Sequence, residues 1–193
     1  FLFGRVPLLL MLYIIIEFVS YGSMPFFVVF ATEFLGVREE NWWIIFMVSQ
    51  AIYLIAIMPM GILTDRVGRR KVLILSISIF ISSTLLLIVT PPRTPYVMLY
   101  ALTSFALFQL AVAASNSALP AFEADLVPRL KRGNVMATLM LVSGITTAIA
   151  TTIGGLGYKE IAPHFPFLIS MSLLLMGFPV ILFRMKEPSK REF

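Results

Sequence analysis

The chain has 193 residues, of which 59% are hydrophobic and only 13% are charged, whereas a soluble domain carries roughly 25% charged residues; the composition therefore predicts an integral membrane protein. Cysteine is absent, which excludes disulfides, thiolate metal sites and cysteine nucleophiles. The net charge of +5 comes from basic residues in short loops between apolar runs, where they set membrane orientation, so no nucleic-acid partner is expected.

Six apolar runs are long enough to cross a hydrocarbon core of ~30 Å as helices. We expect an all-α protein in which residues 1–193 form a single six-helix transmembrane bundle. Polar turns separate the runs at 36–41, 64–71, 91–95, 123–134 and 157–166. The predicted spans are about 8–31, 43–63, 72–90, 96–118, 135–157 and 165–183.

Basic residues fall unevenly on the two sides of the membrane that six spans create. An excess of Lys and Arg marks the cytoplasmic side. Both termini and the 64–71 and 123–134 loops are therefore expected to be cytoplasmic, in a multi-pass protein of a prokaryotic plasma membrane. Twelve basic residues lie on that side and three on the other: Arg5, Arg66, Arg69, Arg70, Lys71, Arg129, Lys131, Arg132, Arg184, Lys186, Lys190 and Arg191 against Arg38, Arg93 and Lys159.

Glu17 is the most informative residue of the first span. It lies about nine residues into the span, roughly 14 Å along a helix and near the middle of the membrane. An ionised group there costs about 2.5 to 3.5 kcal/mol on insertion scales, so Glu17 is protonated, faces water or has a partner outside this chain. Tyr13 and Tyr21 share its helix face. We interpret Glu17 as a carboxyl for proton coupling or substrate binding, with a protonated structural acid as the alternative.

Three amide side chains lie in other spans: Gln50 in the second, and Gln109 and Asn116 in the fourth. A polar side chain in hydrocarbon costs free energy unless it faces protein or water, so these helices are expected to look inward. The third and sixth spans contain only Ser and Thr as polar groups, which can bond back to their own helix, so these two can face lipid. The predicted solute and proton pathway comprises Tyr13, Glu17, Tyr21, Gln50, Gln109 and Asn116.

The fifth span is rich in small residues between Ser143 and Gly155. Small side chains let helix backbones approach closely. A close helix contact is therefore favoured over a substrate site in this span.

The densest cluster of charge is GILTDRVGRRK at 61–71, which follows the second span. This segment resembles the signature loop of the major facilitator superfamily, G-x-L-x-D-R-x-G-R-R-K, in Gly61, Leu63, Asp65, Arg66, Gly68, Arg69, Arg70 and Lys71. The segment ADLVPRLKRGN at 124–134 is similar to a second cytoplasmic loop of that family, the one between its fourth and fifth helices.

The resemblance implies one half of a transporter fold, with six helices arranged as a 3+3 inverted repeat. In that fold the first and fourth helices line a central cavity and the third and sixth face lipid. The partner would be a second six-helix half or a second copy of the chain, and the cargo a small solute moved by alternating access, with protons as the coupling ion.

The resemblance also implies a cytoplasmic gate that packs against the opposite half. Arg69 would belong to a charge network that reaches Glu123 or Asp125. The alternative is that the charges serve orientation alone. The expected gating residues are Gly61, Asp65, Arg66, Gly68, Arg69, Arg70, Glu123 and Asp125.

Two motifs of the family's drug and proton antiporters are missing. The fourth span has no Lys or Arg, and Ala150 and Thr151 stand where Gly and Pro would precede Gly154 and Gly155. Drug antiport is therefore not favoured. These departures and the start at Phe1 favour the C-terminal half of a longer transporter, with the N-terminal half as the alternative.

The sequence thus predicts half of a secondary transporter in membrane lipid; the alternative is a non-transporting membrane assembly or a structural fragment of a transporter. An enzyme is not expected. An intramembrane serine protease needs Ser and His within its spans and a metalloprotease needs H-E-x-x-H ligands, while the only histidine, His164, lies in a loop. We expect neither a cofactor nor a metal.

Overall fold

A computed structural model describes residues 6–127 and 132–184 of the chain, and these residues form six α-helices. A π-helical turn at Phe30–Phe34 extends the first helix. The expected all-helical membrane fold is confirmed for the described residues. The helices are α1 (Val6–Val29), α2 (Glu39–Val67), α3 (Arg69–Val89), α4 (Val97–Leu126), α5 (Arg132–Glu160) and α6 (Phe165–Arg184).

Five of these helices are long and apolar enough to cross a membrane: α1 with its π-helical turn, α2, α3, α4 and α5. In α6 the apolar stretch found among the described residues is shorter, at Phe165–Gly177. The described part of the chain therefore supplies five candidate membrane spans and one shorter apolar helix.

The helices run beyond the apolar runs, so parts of four predicted loops are helical, whereas 91–95 contains no helical residue. At 36–41 the loop is shorter than expected, because α2 begins at Glu39, where acidic residues favour the positive end of the helix dipole. The segment 64–71, expected as a loop, consists of two helix ends that meet at Gly68. The segment 123–134 is likewise helical at both ends, since α4 continues to Leu126 and α5 begins at Arg132. Arg129 and Lys131 between them lie outside the described residues, as do Arg5 and residues 185–193.

Gly68 forms the corner between α2 and α3. Its φ of 108° lies in the region that glycine adopts without a steric penalty. Its backbone N–H still donates to the carbonyl oxygen of Thr64 at 3.2 Å, which closes the last turn of α2. The second glycine of the signature segment therefore has a local structural reason.

The helices pack in two layers. One layer has the order α2, α4, α1, α5, and behind it α3 packs on α4 while α6 packs on α1. Within the first layer α1 and α4 contact each other only lightly. Space is therefore left between these two helices.

Phenylalanine rings fill the core between the layers. Phe27 of α1 contacts Phe105 and Phe108 of α4 and Phe167 of α6, with ring centroids 5.0–5.3 Å apart. His164, expected in a loop, lies just before α6 and packs edge-on against Phe34, with the two ring centroids 4.7 Å apart. Its surroundings are aromatic, which fits a packing role.

The small residues of α5 lie against α1. A Cβ atom added to Gly154 would lie 2.9 Å from the carbonyl oxygen of Gly22, and one added to Gly22 would lie 3.4 Å from the Cβ of Ala150. A Cβ atom essentially never approaches another heavy atom as closely as the shorter distance. The predicted close helix contact of the fifth span is confirmed, with α1 as its partner.

The serines of α3 divide between its two faces. Ser78 and Ser82 are exposed and donate to carbonyl oxygens of their own helix at 2.9 Å. Ser83 is buried instead, and its hydroxyl donates to the carbonyl oxygen of Ser104 at 2.8 Å. The hydroxyl of Ser104 in turn donates to the carbonyl oxygen of Ser83 at 2.8 Å. The serines that bond back to α3 thus mark its outward face, and Ser83 ties it to α4.

Candidate functional site

Two cavities adjoin α1, and Tyr13 and Glu17 line both. The smaller, of about 150 Å³, lies between α1 and α4. The larger, of about 330 Å³, lies between α1, α4 and α5. We call them the α1/α4 cavity and the α1/α5 cavity.

The α1/α4 cavity brings together four residues of the predicted pathway: Tyr13, Glu17, Tyr21 and Asn116. Pro120, one helical turn after Asn116, also lines it. Proline has no backbone N–H, so the carbonyl group of Asn116 lacks its usual helical partner. The cavity therefore offers a carboxyl, two phenols and a side-chain amide.

Asn116 also contacts α2. Its side-chain nitrogen lies 3.3 Å from the hydroxyl oxygen of Tyr53, to which it donates. On the next residue, the Ser117 hydroxyl donates to the carbonyl oxygen of Ile57 at 3.3 Å. These bonds fix the position of the amide at the cavity edge.

The other two predicted pathway residues, Gln50 and Gln109, do not line either cavity. The Gln109 amide nitrogen donates to the side-chain oxygen of Gln50, and Gln109 is buried, with 3% of its surface exposed. The pair joins α2 to α4. In the structure the Gln109 amide therefore has the Gln50 amide as a hydrogen-bond partner, and the pathway role of both residues stays a prediction.

Glu17 is half-buried, between α4 and α5. Ser143 of α5 is a hydrogen-bonding neighbour of its carboxyl group. The oxygen Oε2 of Glu17 is buried and has no hydrogen-bond partner among the described residues. One oxygen of this carboxyl is therefore available for a proton, a water or a solute.

Glu123 occupies a different place from the one expected. The sequence put it in a cytoplasmic loop near Arg69, but α4 is still helical at this position, and only 3% of Glu123 is exposed. Its side chain lines the α1/α5 cavity together with Glu17. A sequence signal for this placement exists, because Asn116, Pro120 and Glu123 lie at i, i+4 and i+7 and so share one helix face.

The charged end of the bundle contains an ion pair between α3 and α4. An Arg69 guanidinium nitrogen lies 2.8 Å from a carboxylate oxygen of Asp125, and the two side chains are 19% and 24% exposed. Asp65 and Arg66 are exposed, and Gly68 and Arg70 are partly buried. Of the two acids expected near Arg69, the structure pairs it with Asp125.

Gly61 faces open space. A Cβ atom added there would meet no described atom within 4 Å. Packing within the described chain therefore gives no reason for a glycine at this position.

Large apolar side chains cover the outer faces of α2 and α5. Ile55 and Met58 of α2 are 73% exposed, and Met140 of α5 is 72% exposed. These two helices are the outermost members of the first layer.

Among the described residues, no cluster of acidic, histidine or cysteine side chains suits a metal ion.

Comparison with known proteins gives two findings. Residues 9–193 match the family model of the Major Facilitator Superfamily. A D-xylose transporter of Levilactobacillus brevis is 32% identical over 129 residues, which are 64% of this chain and 26% of that protein. The matched part thus spans about a quarter of that relative's length.

Proposed function

The chain belongs to the major facilitator superfamily and is an integral, multi-pass membrane protein, and we propose that it forms one six-helix half of a secondary active transporter. It would move a small solute by alternating access, coupled to protons. The observation that carries the proposal is the half-buried Glu17, which lies between the spans with one carboxyl oxygen unpartnered among the described residues. An intramembrane acid of this kind is typical of transport pathways.

The packing supports a 3+3 repeat within the half. Contacts between α2 and α4, α3 and α4, and α2 and α3 have counterparts between α5 and α1, α6 and α1, and α5 and α6. Exchanging the first three helices with the last three therefore preserves the contact scheme. Repeats of this kind place the solute site near their interface, which here is the gap between α1 and α4.

A second half would complete the pathway. The exposed apolar faces of α2 and α5 flank α1 and α4, so a partner placed on them would enclose the α1/α4 cavity from the open side. That partner is a second six-helix block of the same polypeptide or a second copy of this chain. A glycine at position 61 lets such a partner approach α2 closely.

The charged end of the bundle would be the cytoplasmic gate. Arg66, Arg69, Arg70 and Lys71 lie at this end, and an excess of basic residues marks the cytoplasmic side. The Arg69–Asp125 ion pair holds α3 to α4 next to the signature segment. Opening toward the cytoplasm would disturb this network, as interfaces with two discrete arrangements do.

A sugar is the solute class with which to begin. The relative from Levilactobacillus brevis is a D-xylose transporter, and the α1/α4 cavity presents Tyr13, Tyr21 and Asn116 beside Glu17. Amide and phenol groups donate and accept hydrogen bonds, which suits a hydroxyl-rich solute. D-xylose is therefore the first probe.

Proteoliposomes that contain the chain assembled with its second half test the proposal. With an inward proton gradient, labelled D-xylose should accumulate above its external concentration, and a proton ionophore should abolish the accumulation. Uptake of D-xylose equal to that of protein-free vesicles, repeated with hexoses and with organic cations, would favour the non-transporting alternative.

A further inference from the structure

Glu123 is a second buried acid that the proposed transport site does not use. It lies three residues before the end of α4, and its oxygen Oε1 is buried with no hydrogen-bond partner among the described residues. A buried polar atom without a partner loses its hydrogen bonds to water and gains none in return, which costs free energy. An ordinary structural acid would be bonded, so this carboxyl requires another explanation.

The carboxyl groups of Glu17 and Glu123 share one space. Both line the α1/α5 cavity of about 330 Å³, and each has one oxygen without a partner among the described residues. Since a water occupies roughly 30 Å³, the cavity has room for a chain of waters between them. Tyr13 lines the same cavity, and its hydroxyl lies within the electrostatic reach of both carboxyl groups.

The surroundings of Glu123 differ between the two ends of the cavity. Toward the membrane interior it faces Tyr13 and Glu17 of α1, and Ser143 of α5. At the charged end it faces Arg132 of α5, whose guanidinium donates to the carbonyl oxygen of Ala124 at 2.8 Å. Arg69 of α3 forms its ion pair with Asp125 rather than with Glu123. Glu123 thus lies between a membrane acid and the end of the bundle where the basic residues collect.

The geometry points to Glu123 as the inner proton acceptor of the transporter, the group that receives the proton from Glu17 and passes it to the charged end. The O–H bond of the Glu17 carboxyl breaks, and the proton moves through cavity water or the Tyr13 hydroxyl. A new O–H bond forms at Oε1 of Glu123, which leaves Glu17 as a carboxylate. Glu123 then loses the proton to water beside Arg132. The inference rests on the proposed proton coupling.

Infrared difference spectra between acidic and alkaline buffer test whether Glu123 takes up a proton. Protonated carboxyl groups are seen directly by their C=O stretching band. We expect the chain in lipid vesicles to lose one such band in Glu123→Gln and to keep it in Glu40→Gln, which changes an exposed acid at the start of α2. Identical carboxyl bands in Glu123→Gln and the unchanged chain overturn the inference, whatever the solute.

Transport of D-xylose as the probe tests the relay itself. We expect Glu123→Gln to keep exchange of labelled for unlabelled D-xylose and to lose accumulation driven by a proton gradient, while Glu123→Asp recovers part of it. Undiminished accumulation in Glu123→Gln overturns the relay but not the proposed function. Loss of exchange in both Glu123→Gln and Glu123→Asp also overturns it, because a proton acceptor is not needed for exchange. If the unchanged chain accumulates none of the probes, the proposed function fails, and the infrared result still decides the role of Glu123.

Discussion

The backbones of α1 and α5 meet where Gly154 faces Gly22, and a Cβ atom on Gly154 would lie 2.9 Å from the Gly22 carbonyl oxygen. We expect Gly154→Ala to lower the free energy of unfolding by about 1–3 kcal/mol, the usual cost of overpacking. Gly144→Ala on the same helix is the matched control, since a Cβ atom there meets no described atom within 4 Å. Thermal unfolding in detergent measures both. Equal midpoints for the two variants would contradict the close contact.

The Gln50–Gln109 pair predicts a difference between single and double replacements. Gln109→Leu leaves the Gln50 amide unpaired between α2 and α4, which costs about 1–3 kcal/mol. Replacing both residues by Leu removes both polar groups and should recover most of the lost stability. Unfolding of the two single variants and the double variant forms a cycle that isolates the coupling. Additive effects would show that the two amides do not depend on each other.

How far the sequence predicts this structure differs between the apolar and the polar residues. The apolar runs locate the helices, because burial in lipid requires about 20 apolar residues for each span. They do not locate helix ends, because a helix at the membrane surface continues into charged residues such as Glu39 and Glu123 wherever its backbone bonds remain satisfied. The α4 end was therefore misplaced, and Glu123 with it.

The partners of the site residues are also invisible in the sequence. Gln50 and Gln109 are 59 positions apart. The polarity that assigns both to a solute pathway does not predict that their side chains bond each other. The shared helix face of Tyr13, Glu17 and Tyr21 is easier to predict, since the three residues belong to one helix and their spacing alone puts them on one face. Periodicity therefore identifies a helix face, while contacts between helices depend on packing.

The Arg69–Asp125 ion pair predicts a change in access to the α1/α5 cavity. Asp125→Asn removes the anion from α4, so we expect the charged end to open more often. The chain has no cysteine, so a single Leu139→Cys, at a buried position in the cavity wall, provides a unique thiol for maleimide labelling. Labelling should be faster when Asp125→Asn is added to this background.

Glu160→Gln is the control for that experiment. It breaks the Lys159–Glu160 ion pair, which is highly exposed at the other end of α5, and exposed pairs contribute only about 0–1 kcal/mol. Labelling should be unchanged in this variant. A rate that responds equally to both substitutions would argue against a gate at Asp125.

Glu17 is expected to be required for proton coupling but not for folding. Glu17→Gln keeps the size of the side chain and removes its exchangeable proton, so proton-driven accumulation of D-xylose should be lost while thermal unfolding is preserved. Glu33→Gln, an exposed acid in the π-helical turn, should behave as the unchanged chain does. If uptake by Glu17→Gln keeps the pH dependence of the unchanged chain, Glu17 does not carry the proton.

The open space around Gly61 makes a substitution at this position sensitive to contact between α2 and a second half. Because a Cβ atom there would meet no described atom within 4 Å, we expect the effect of Gly61→Leu to depend on the molecule that covers α2 from outside. Measured on an isolated chain the substitution should be silent, and measured on the assembled transporter it should be disruptive. The difference between those two measurements reports whether the second half packs against α2 at Gly61, even before the identity of that half is known.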